Sequence, residues 1–359
     1  MSGGVDSSVT ATLMKRSGFD CIGMNLHFWK DEEVQNKCCY IAAVDDARKV
    51  CEKIGIPFHV LNLEEKFKET IVDYFLDTYA KGKTPNPCVV CNKKIKFGAL
   101  LEKALELGAD YLATGHYAKV VFNEKEGVYE LRMAAAKNKD QSYFLYRLTQ
   151  DQLRHILFPL GEFEGKDETY KLAKEFGLPR VIEKPESQGV CFFTEDTPKN
   201  FLQKFLGEKY FKSGPIITVG GRNIGSHKGL PLYTIGQRQG LGVGGIKGEE
   251  EGEPWYVVDI DVGNNTLIVG RKEDTECTEF ICNDLSFCSG DKIEKDKEVL
   301  IRVRHRGKLV DGTVEMKTGG KALVRATSKP FSSVSCGQSA VFYEGEKVLG
   351  GGIIEQRVK

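Results

Sequence analysis

The sequence predicts an α/β domain with a doubly wound parallel sheet, followed by a small β-rich domain and a C-terminal antiparallel β-barrel. Three observations indicate this order. Short apolar runs alternate with amphipathic helices up to about residue 195, glycine becomes frequent after Pro198, and short strand-like runs recur from about residue 265. The 359 residues also exceed what one hydrophobic core usually supports. We therefore expect domains at residues 1–197, 198–264 and 265–359.

The first domain shows the alternation that is typical of a doubly wound fold. Its apolar runs predict buried parallel strands at residues 21–28, 58–63 and 111–114. Its helical periodicity predicts helices at residues 8–16, 44–54, 67–79 and 97–107. Ligands of such folds bind beyond the carboxyl ends of the strands, so we expect the functional site at that edge.

The remaining chain is richer in turns. Residues 214–245 are glycine-rich and predict a small mixed or β-rich domain. Strand-like runs separated by turns then predict a small antiparallel barrel. They occur at residues 266–269, 299–303, 321–325, 339–343 and 351–355.

Composition restricts the class of protein. Lys plus Arg equals Asp plus Glu at 51 each, which argues against binding of polyanions through bulk charge but permits a local basic surface. The apolar stretches are short and interrupted by charge, so we expect no membrane span and no membrane partner. Eleven cysteines without a visible export signal indicate cytosolic thiols, catalytic groups or metal ligands rather than a disulfide framework. We expect a cytoplasmic protein.

The chain begins with a glycine-bearing turn, Ser2-Gly3-Gly4-Val5-Asp6-Ser7 with Ser8 behind it, that leads directly into a helix. Adjacent glycines let backbone N–H groups close around an anion, and a helix N-terminus favours phosphate. The segment matches neither the Walker pattern nor the dinucleotide fingerprint. It resembles the SGGxDS loop of ATP pyrophosphatases, which cleave ATP between the α and β phosphates and activate a carbonyl oxygen as an adenylate.

A buried strand normally leads into such a loop, yet only Met1 precedes Ser2. We therefore expect a sheet without its first strand. A start codon assigned too far downstream, or a truncated sequence, is the preferred explanation. The alternative is a protein that lacks its central strand, which would forfeit much buried apolar area.

A second motif is Thr84-Pro85-Asn86-Pro87-Cys88-Val89-Val90-Cys91-Asn92, followed by lysines. Two prolines in three residues fix an extended loop. A helix N-terminus and nearby lysines favour a thiolate, which predicts a nucleophilic role for Cys91. Cys88 is then a redox partner, a metal ligand or a neighbour that tunes Cys91. Zinc is disfavoured because no second cysteine pair has similar spacing.

Together these segments resemble the tRNA-specific 2-thiouridylases, ATP-dependent enzymes that sulfurate the wobble uridine of certain tRNAs. The resemblance runs through nearly the whole chain. Besides the two motifs above, it includes Cys38-Cys39, Ala113-Thr114-Gly115-His116-Tyr117, Lys139-Asp140-Gln141-Ser142-Tyr143-Phe144-Leu145, Gly189-Val190-Cys191-Phe192, Tyr233-Thr234-Ile235-Gly236-Gln237-Arg238 and Gly350-Gly351-Gly352-Ile353-Ile354.

The resemblance implies a role for each matching position. Cys91 is the nucleophilic or resolving cysteine and Cys191 carries a persulfide, and the two form a transient disulfide. The implied ATP contacts are Ser2, Gly3, Gly4, Val5, Asp6, Ser7 and Ser8 for the phosphates, and Leu26 and Gly115 for the adenine. The implied contacts with the target base are Asn86, Pro87 and Cys88, and those with tRNA are Lys139, Asp140, Gln141, Arg304 and His305.

The implied reaction adenylates the 2-carbonyl oxygen of the uridine and then transfers sulfur, releasing AMP and pyrophosphate. ATP implies Mg²⁺, for which Asp6 is a candidate ligand. Many family members have Asp at the position of Cys88. An alternative therefore stays open in which Cys88, Cys91 and Cys191 bind a [4Fe–4S] cluster with one iron left open for sulfide.

Residues 301–308 alternate apolar and basic side chains, which predicts a strand with Arg302, Arg304, Arg306 and Lys308 on one face. A row of cations on the C-terminal barrel suits a phosphate backbone better than bare solvent. The expected partners are tRNA, by family those for Lys, Glu and Gln, and a cysteine desulfurase or sulfur relay protein. Rival interpretations are an ATP pyrophosphatase that adenylates a small molecule and an iron–sulfur or RNA-binding protein without catalysis.

Overall fold

The computed structural model describes residues 1–29, 41–178, 189–192, 198–243, 253–290, 293 and 297–358. The Cys38-Cys39 motif lies outside the described residues. Among the helices that are described, none is both long and apolar enough to cross a bilayer.

The N-terminal part alternates helices with parallel strands, as predicted. The helices described in this part are α1 (Val5–Arg16), α2 (Ile41–Ile54), α3 (Glu64–Phe67), α4 (Asp73–Ala80), α5 (Pro87–Cys91), α6 (Leu101–Glu106), α7 (Gln150–Leu153) and α8 (Lys166–Glu175). Helix α9 (Lys199–Phe205) follows directly after it. Its strands are β1 (Gly23–His27), β2 (Phe58–Asn62), β3 (Leu112–Ala113), β4 (Ala118–Asn123), β5 (Val128–Met133) and β6 (Ile156–Leu157).

The parallel strands form two pairs, β1 with β2 and β3 with β6. The start of the chain lies between them. Asn25 in β1 donates its side-chain amide to the Met1 carbonyl at 2.7 Å, and Gly115 beyond β3 packs against Asp6 at the start of α1. The phosphate-loop candidate therefore occupies the edge of the sheet where the sequence predicts a ligand.

Two helices begin earlier than predicted because π-helical turns join their pieces. The turn Lys68–Val72 connects α3 to α4, and the turn Asn92–Leu100 connects α5 to α6. The predicted helix at residues 97–107 therefore begins at Pro87 instead. Proline favours this first helical position because it has no N–H to leave unpaired.

The central domain is a four-stranded mixed sheet in the order β8-β7-β10-β9. Its strands are β7 (Gly214–Thr218), β8 (Asn223–His227), β9 (Tyr256–Asp261) and β10 (Thr266–Gly270). Strand β10 pairs with β7 and β9, so assigning the run 266–269 to the barrel is wrong. The boundary predicted after residue 264 falls inside this sheet, between two strands of one core.

The C-terminal part forms a closed antiparallel barrel, as predicted. Strands β12, β15, β14, β13, β17 and β18 follow one another around it, and β18 pairs again with β12. Their bounds, with two short strands beside them, are β11 (Glu276–Cys277), β12 (Glu279–Phe287), β13 (Glu298–Arg302), β14 (Val310–Lys317), β15 (Lys321–Ala326), β16 (Phe331–Ser332), β17 (Ser339–Glu344) and β18 (Lys347–Arg357). Closure leaves the barrel without open edges.

The basic row does not continue along a strand, which corrects the expectation for residues 301–308. Strand β13 ends at Arg302, and a turn closed by a Gly307 N–H to Arg304 carbonyl bond of 2.9 Å follows. Arg306 has a φ of +60° in this turn. Arg304, Arg306 and Lys308 are exposed, whereas Arg302 points inward. The cations thus share a loop rather than one face of a strand.

One feature has no counterpart in the sequence pattern. The hairpin β4–β5 belongs to the N-terminal part, yet it extends the sheet of the barrel through the pair Lys347 and Arg132. The Glu130 carboxylate accepts from Arg132 at 2.5 Å and lies 3.0 Å from Lys347. These contacts attach the barrel to the N-terminal domain.

Candidate active site

The glycine loop is shaped by contacts that exclude side chains. Gly3 has a φ of +72°, and a Cβ there would lie 2.4 Å from the Ala43 carbonyl oxygen. Gly4 is the N-cap of α1, and its carbonyl accepts from the Ser8 N–H at 3.2 Å. No side chain caps the first turn among the described residues. The first N–H groups of α1 therefore keep the capacity to bind an anion such as phosphate.

Asp6 is the charged group of this loop. Lys166, the first residue of α8, places its Nζ 2.6 Å from each carboxylate oxygen of Asp6. The Tyr117 hydroxyl donates to the same carboxylate at 3.2 Å and lies 2.7 Å from the Thr169 hydroxyl. The Asp6 side chain remains 34% exposed. A carboxylate and an ammonium therefore stand together at the N-terminal turn of α1.

The segment Thr114-Gly115-His116-Tyr117 forms one wall of the loop. A Cβ at Gly115 would lie 2.8 Å from the Asp6 backbone, so the close approach requires glycine. His116 lies 2.7 Å from the Thr114 hydroxyl, and its ring packs against both Phe97 and Phe158. Burial lowers the pKa of His116 well below its ordinary value, so its ring is neutral at pH 7.

The predicted nucleophile does not sit at a helix N-terminus. Asn86 caps α5, its side-chain oxygen accepting from the Val89 N–H at 3.5 Å, so Cys88 lies in the first turn. Cys91 is one turn further and is 6% exposed. The helix-terminus argument applies to Cys88 rather than to Cys91, because the helix begins at Pro87.

The structure brings Cys91 and Cys191 to one hydrophobic cluster, although they lie 100 positions apart in the sequence. Phe192, buried to 1% exposure, packs edge-on against Phe75 at 5.2 Å. Leu26 of β1 joins the same cluster. Cys91 is buried within this cluster, whereas Cys191 packs against it and is only partly buried.

The described residues do not group three His, Cys, Asp or Glu side chains in a way that could hold a metal ion. Cys88, Cys91 and Cys191 therefore do not fit a three-thiolate iron–sulfur site in this arrangement.

All three domains hold the loop before α5. The Thr84 N–H donates to the Cys336 carbonyl of the barrel at 2.9 Å, and its hydroxyl donates to Thr234 of the central domain at 3.2 Å. Gln338 donates its side-chain amide to the Pro85 carbonyl at 2.8 Å. The residues predicted to contact the base, Asn86, Pro87 and Cys88, therefore follow a segment that hydrogen bonds hold to the other two domains.

The predicted tRNA-contacting residues lie on one connected network. Asp140 is buried, and its carboxylate accepts from Arg302 at 3.0 Å and from the Ser142 hydroxyl at 2.9 Å. Gln141 accepts from the Tyr117 N–H at 3.0 Å, and half-buried Lys139 precedes Asp140. Asp140 therefore fixes the positions of its neighbours, while Gln141 connects them to Tyr117 in the wall of the glycine loop.

Arg304 and His305 lie on the turn after β13, close to this network. Arg304 is exposed. The His305 ring packs on Phe144 with centroids 4.5 Å apart. Burial, and then the charges of Arg306 and Arg302, lower the pKa of His305 to about 4. His305 is therefore uncharged at pH 7 and offers an aromatic face rather than a cation.

Sequence analysis did not identify the roles of three residues of this site: Lys166, Tyr117 and Gln338. Lys166 looks like any helix-starting lysine, and Gln338 like any polar residue in a turn. Tyr117 lies inside a motif that resembles the family, but nothing in that motif indicates a contact with Asp6. Each acts on a segment more than 100 positions away, which only packing establishes.

Comparison with known proteins agrees with this geometry. Three family models match consecutive parts of the chain: a tRNA methyl transferase HUP domain at residues 1–195, a tRNA methyl transferase PRC-barrel domain at 199–271 and an aminomethyltransferase β-barrel domain at 277–354. Relatives named tRNA-specific 2-thiouridylase include MnmA 1 of Thermoanaerobacter pseudethanolicus, 46% identical, and MnmA of Clostridioides difficile, 44% identical. The alignments cover 100% and 99% of this chain, respectively, and 97% of each relative. The chain belongs to the tRNA-specific 2-thiouridylase family.

Proposed function

We propose that this protein catalyses ATP-dependent 2-thiolation of the wobble uridine of tRNA. The observation that carries the proposal is the placement of strand β1. Its Asn25 touches Met1 beside the glycine loop, and the next residue, Leu26, packs in the cluster of Cys91 and Cys191. One strand thus joins a phosphate-binding edge to two thiols, which is the combination that activation followed by sulfur transfer requires.

The first step activates a poor leaving group. The 2-carbonyl oxygen of the uridine attacks the α-phosphorus of ATP, and pyrophosphate departs. The loop N–H groups and Lys166 bind phosphate oxygens and stabilise the charge that develops on them. Mg²⁺, when bound, would be held by Asp6 and would neutralise part of that charge.

The second step transfers sulfur from Cys191 to the uridine ring. The terminal sulfur of a Cys191 persulfide bonds to the ring C2, and AMP leaves with the former carbonyl oxygen. The Cys91 thiolate then attacks the inner sulfur of Cys191, which breaks the S–S bond and releases thiouridine. A Cys91–Cys191 disulfide remains, and an external dithiol or thiol reductant supplies two electrons to reopen it.

The network around Asp140, which contains residues predicted to contact tRNA, supports the proposed substrate. A folded RNA is recognised by shape and by backbone contacts, and a base must leave its stack to reach an enclosed cysteine. The expected substrates are the tRNAs for Lys, Glu and Gln. The expected sulfur source is a cysteine desulfurase, acting directly or through a relay protein.

Two observations favour this reaction over its rivals. The relatives that match along the whole chain are named tRNA-specific 2-thiouridylases, which the small-molecule alternative does not account for. The three-thiolate arrangement that a [4Fe–4S] route requires is not formed by the described residues.

The test is thiolation of unmodified tRNA with purified protein, ATP, Mg²⁺ and a desulfurase, prepared with and without iron. We expect 2-thiouridine and equimolar AMP and pyrophosphate in the iron-free sample. Activity that appears only after iron reconstitution and uses free sulfide would overturn the persulfide route. ATP cleavage stimulated by a small carbonyl compound, but not by tRNA, would overturn the substrate.

A further inference from the structure

A buried arginine lies where the N-terminal domain meets the barrel. Arg147 follows the network segment at residues 142–144, and its side chain is only 11% exposed. One guanidinium nitrogen, Nη2, donates to Asp284 of β12 at 2.7 Å. Its Nε has no hydrogen-bond partner among the described residues. A buried donor without a partner is costly, so this arginine is only partly satisfied by the protein itself.

The carboxylate that meets Arg147 is held in an unusual way. Asp284 has a φ of +46° and lies where the β12–β18 register shifts between Asn283 and Ser286. Bulges of this kind redirect a side chain. The Asp284 side chain is 54% exposed, so water competes for it and it can be displaced from the guanidinium.

Further cations stand beside this pair. Lys93 follows Cys91 by two positions and is half-buried. Burial, and then the charge of Arg147, lower the pKa of Lys93, while Asp284 raises it and Lys94 lowers it. The groups that face Lys93 therefore comprise two cations and one carboxylate. Net positive charge in a partly desolvated place is stabilised by an added anion.

The adjacent residue leaves an acceptor open as well. Asn92 is 3% exposed and donates its side-chain amide to the Phe144 carbonyl at 3.3 Å. Within the described part of the chain its Oδ1 has no partner. The contact between the cysteine helix and the segment of Phe144 and Arg147 thus contains an open donor and an open acceptor. RNA carries phosphate acceptors and 2′-hydroxyl donors at neighbouring positions, so it can satisfy both.

We propose that Arg147 and Lys93 form a phosphodiester subsite for the RNA backbone next to the nucleotide that enters the cysteine site. Asp284 occupies Arg147 in the absence of RNA and yields it to a phosphate. An arginine fork binds phosphate in a planar, two-bonded geometry that a flexible lysine does not match. This inference rests on tRNA being the substrate, and it assigns a positioning role to residues that do not touch the reacting atoms.

The test measures affinity of the full-length protein for an anticodon stem-loop RNA at several salt concentrations. Arg147→Met is expected to weaken binding about tenfold and to reduce the slope of log Kd against log salt by about 0.7, since one phosphate contact is lost. Lys93→Met is expected to act in the same direction, and it keeps the test valid if the arginine variant does not fold. Asp284→Asn is expected to tighten binding several-fold because it removes the competing carboxylate. Lys103→Met is the control, since Lys103 is exposed and pairs with Glu106 on α6.

The outcomes distinguish an RNA subsite from a domain latch, that is, a contact that only holds the N-terminal domain to the barrel. Unchanged salt slopes in Arg147→Met and Lys93→Met, or weakening in Asp284→Asn equal to that in Arg147→Met, would overturn the proposal in favour of a latch. Displacement of RNA by millimolar inorganic phosphate at constant ionic strength, only when Arg147 is present, would assign the subsite to free phosphate. If the wild-type protein neither binds nor thiolates the RNA, the proposed function fails first, and that result is distinct from both.

Discussion

Lys166 and Asp6 form a bifurcated ion pair across 160 positions of sequence, with Nζ 2.6 Å from both carboxylate oxygens. The pair joins the first residue of α8 to the first turn of α1. The Asp6 side chain is one-third exposed and that of Lys166 is 12% exposed, so solvent still reaches the pair. Under the proposed function, this pair exchanges partners when a metal-bound polyphosphate arrives.

The first prediction concerns this pair. Lys166→Met is expected to weaken ATP binding about 10- to 100-fold, because a charge-assisted bond to phosphate contributes roughly 1.5–3 kcal/mol. Calorimetric titration with a non-hydrolysable ATP analogue measures the effect. Lys171→Met, on the exposed side of the same helix, is the matched control and should bind normally. Equal affinities in the two variants would remove Lys166 from the phosphate site.

The second prediction concerns the shape of the loop. Gly3→Ala is expected to abolish detectable ATP binding, since its Cβ would lie 2.4 Å from the Ala43 carbonyl oxygen and its φ of +72° disfavours any side chain. Gly18→Ala has a similar φ of +88° but open space around its Cβ. Thermal melting and ATP titration of both variants separate the clash from the backbone strain. Normal ATP binding by Gly3→Ala would contradict the loop assignment.

The third prediction concerns the cysteines. Cys91→Ser and Cys191→Ser are each expected to lower thiolation by on the order of 10³-fold or more, and the double variant to be no worse than either, because the two thiols act as a unit. Cys88→Ser should keep most of the activity. Gel retardation of thiolated tRNA by a mercury reagent gives the measurement. Cys21→Ser serves as the control, and inactivity of Cys88→Ser would return that residue to the mechanism.

The fourth prediction concerns acid sensitivity. Burial raises the pKa of Glu130, but hydrogen bonds from Asn123, Lys347 and Arg132 outweigh it and lower the pKa to about 2. The unfolded chain therefore binds the proton first, and this stabilisation is present above pH 4.5 and lost as the pH falls towards 2. Allowing for solvent screening, Glu130→Gln should cost about 1–2 kcal/mol at pH 7 and almost nothing near pH 2. Denaturant titrations at both pH values give the comparison, and an equal cost at both would contradict it.

The fifth prediction concerns Asp140. Asp140→Ala is expected to destabilise the protein by about 3–5 kcal/mol, because it leaves the Arg302 guanidinium, 12% exposed, without its carboxylate. RNA affinity should fall with it, since Lys139 and Gln141 lose their support. Adding Arg302→Met should restore part of the stability. Melting temperatures and RNA titrations of the single and double variants test this, and a stable Asp140→Ala with weak RNA binding would instead indicate direct contact.

Sequence analysis predicted the elements that local patterns encode. The strands β1 and β2 and the helices α1 and α2 follow from apolar runs and helical periodicity, and the barrel strands follow from regular turns. It was less accurate where two signals compete. The alternation at residues 301–308 suits a strand, but Arg302 turns inward to Asp140 and the chain bends immediately afterwards. The start of the cysteine helix was misplaced because Pro87 begins that helix rather than ending the loop.

By itself, the sequence determined the glycine loop, the cysteine motif and their family, because the angles of glycine, the N–H groups of a helix start and the order of motifs are local properties. Only the tertiary structure decided which distant groups meet. It paired Lys166 with Asp6, placed Cys91 and Cys191 at one hydrophobic cluster, and turned Arg147 towards Asp284. These contacts depend on how sheets and helices pack across domains, and no periodicity along the chain records the partner of a side chain more than a hundred residues away.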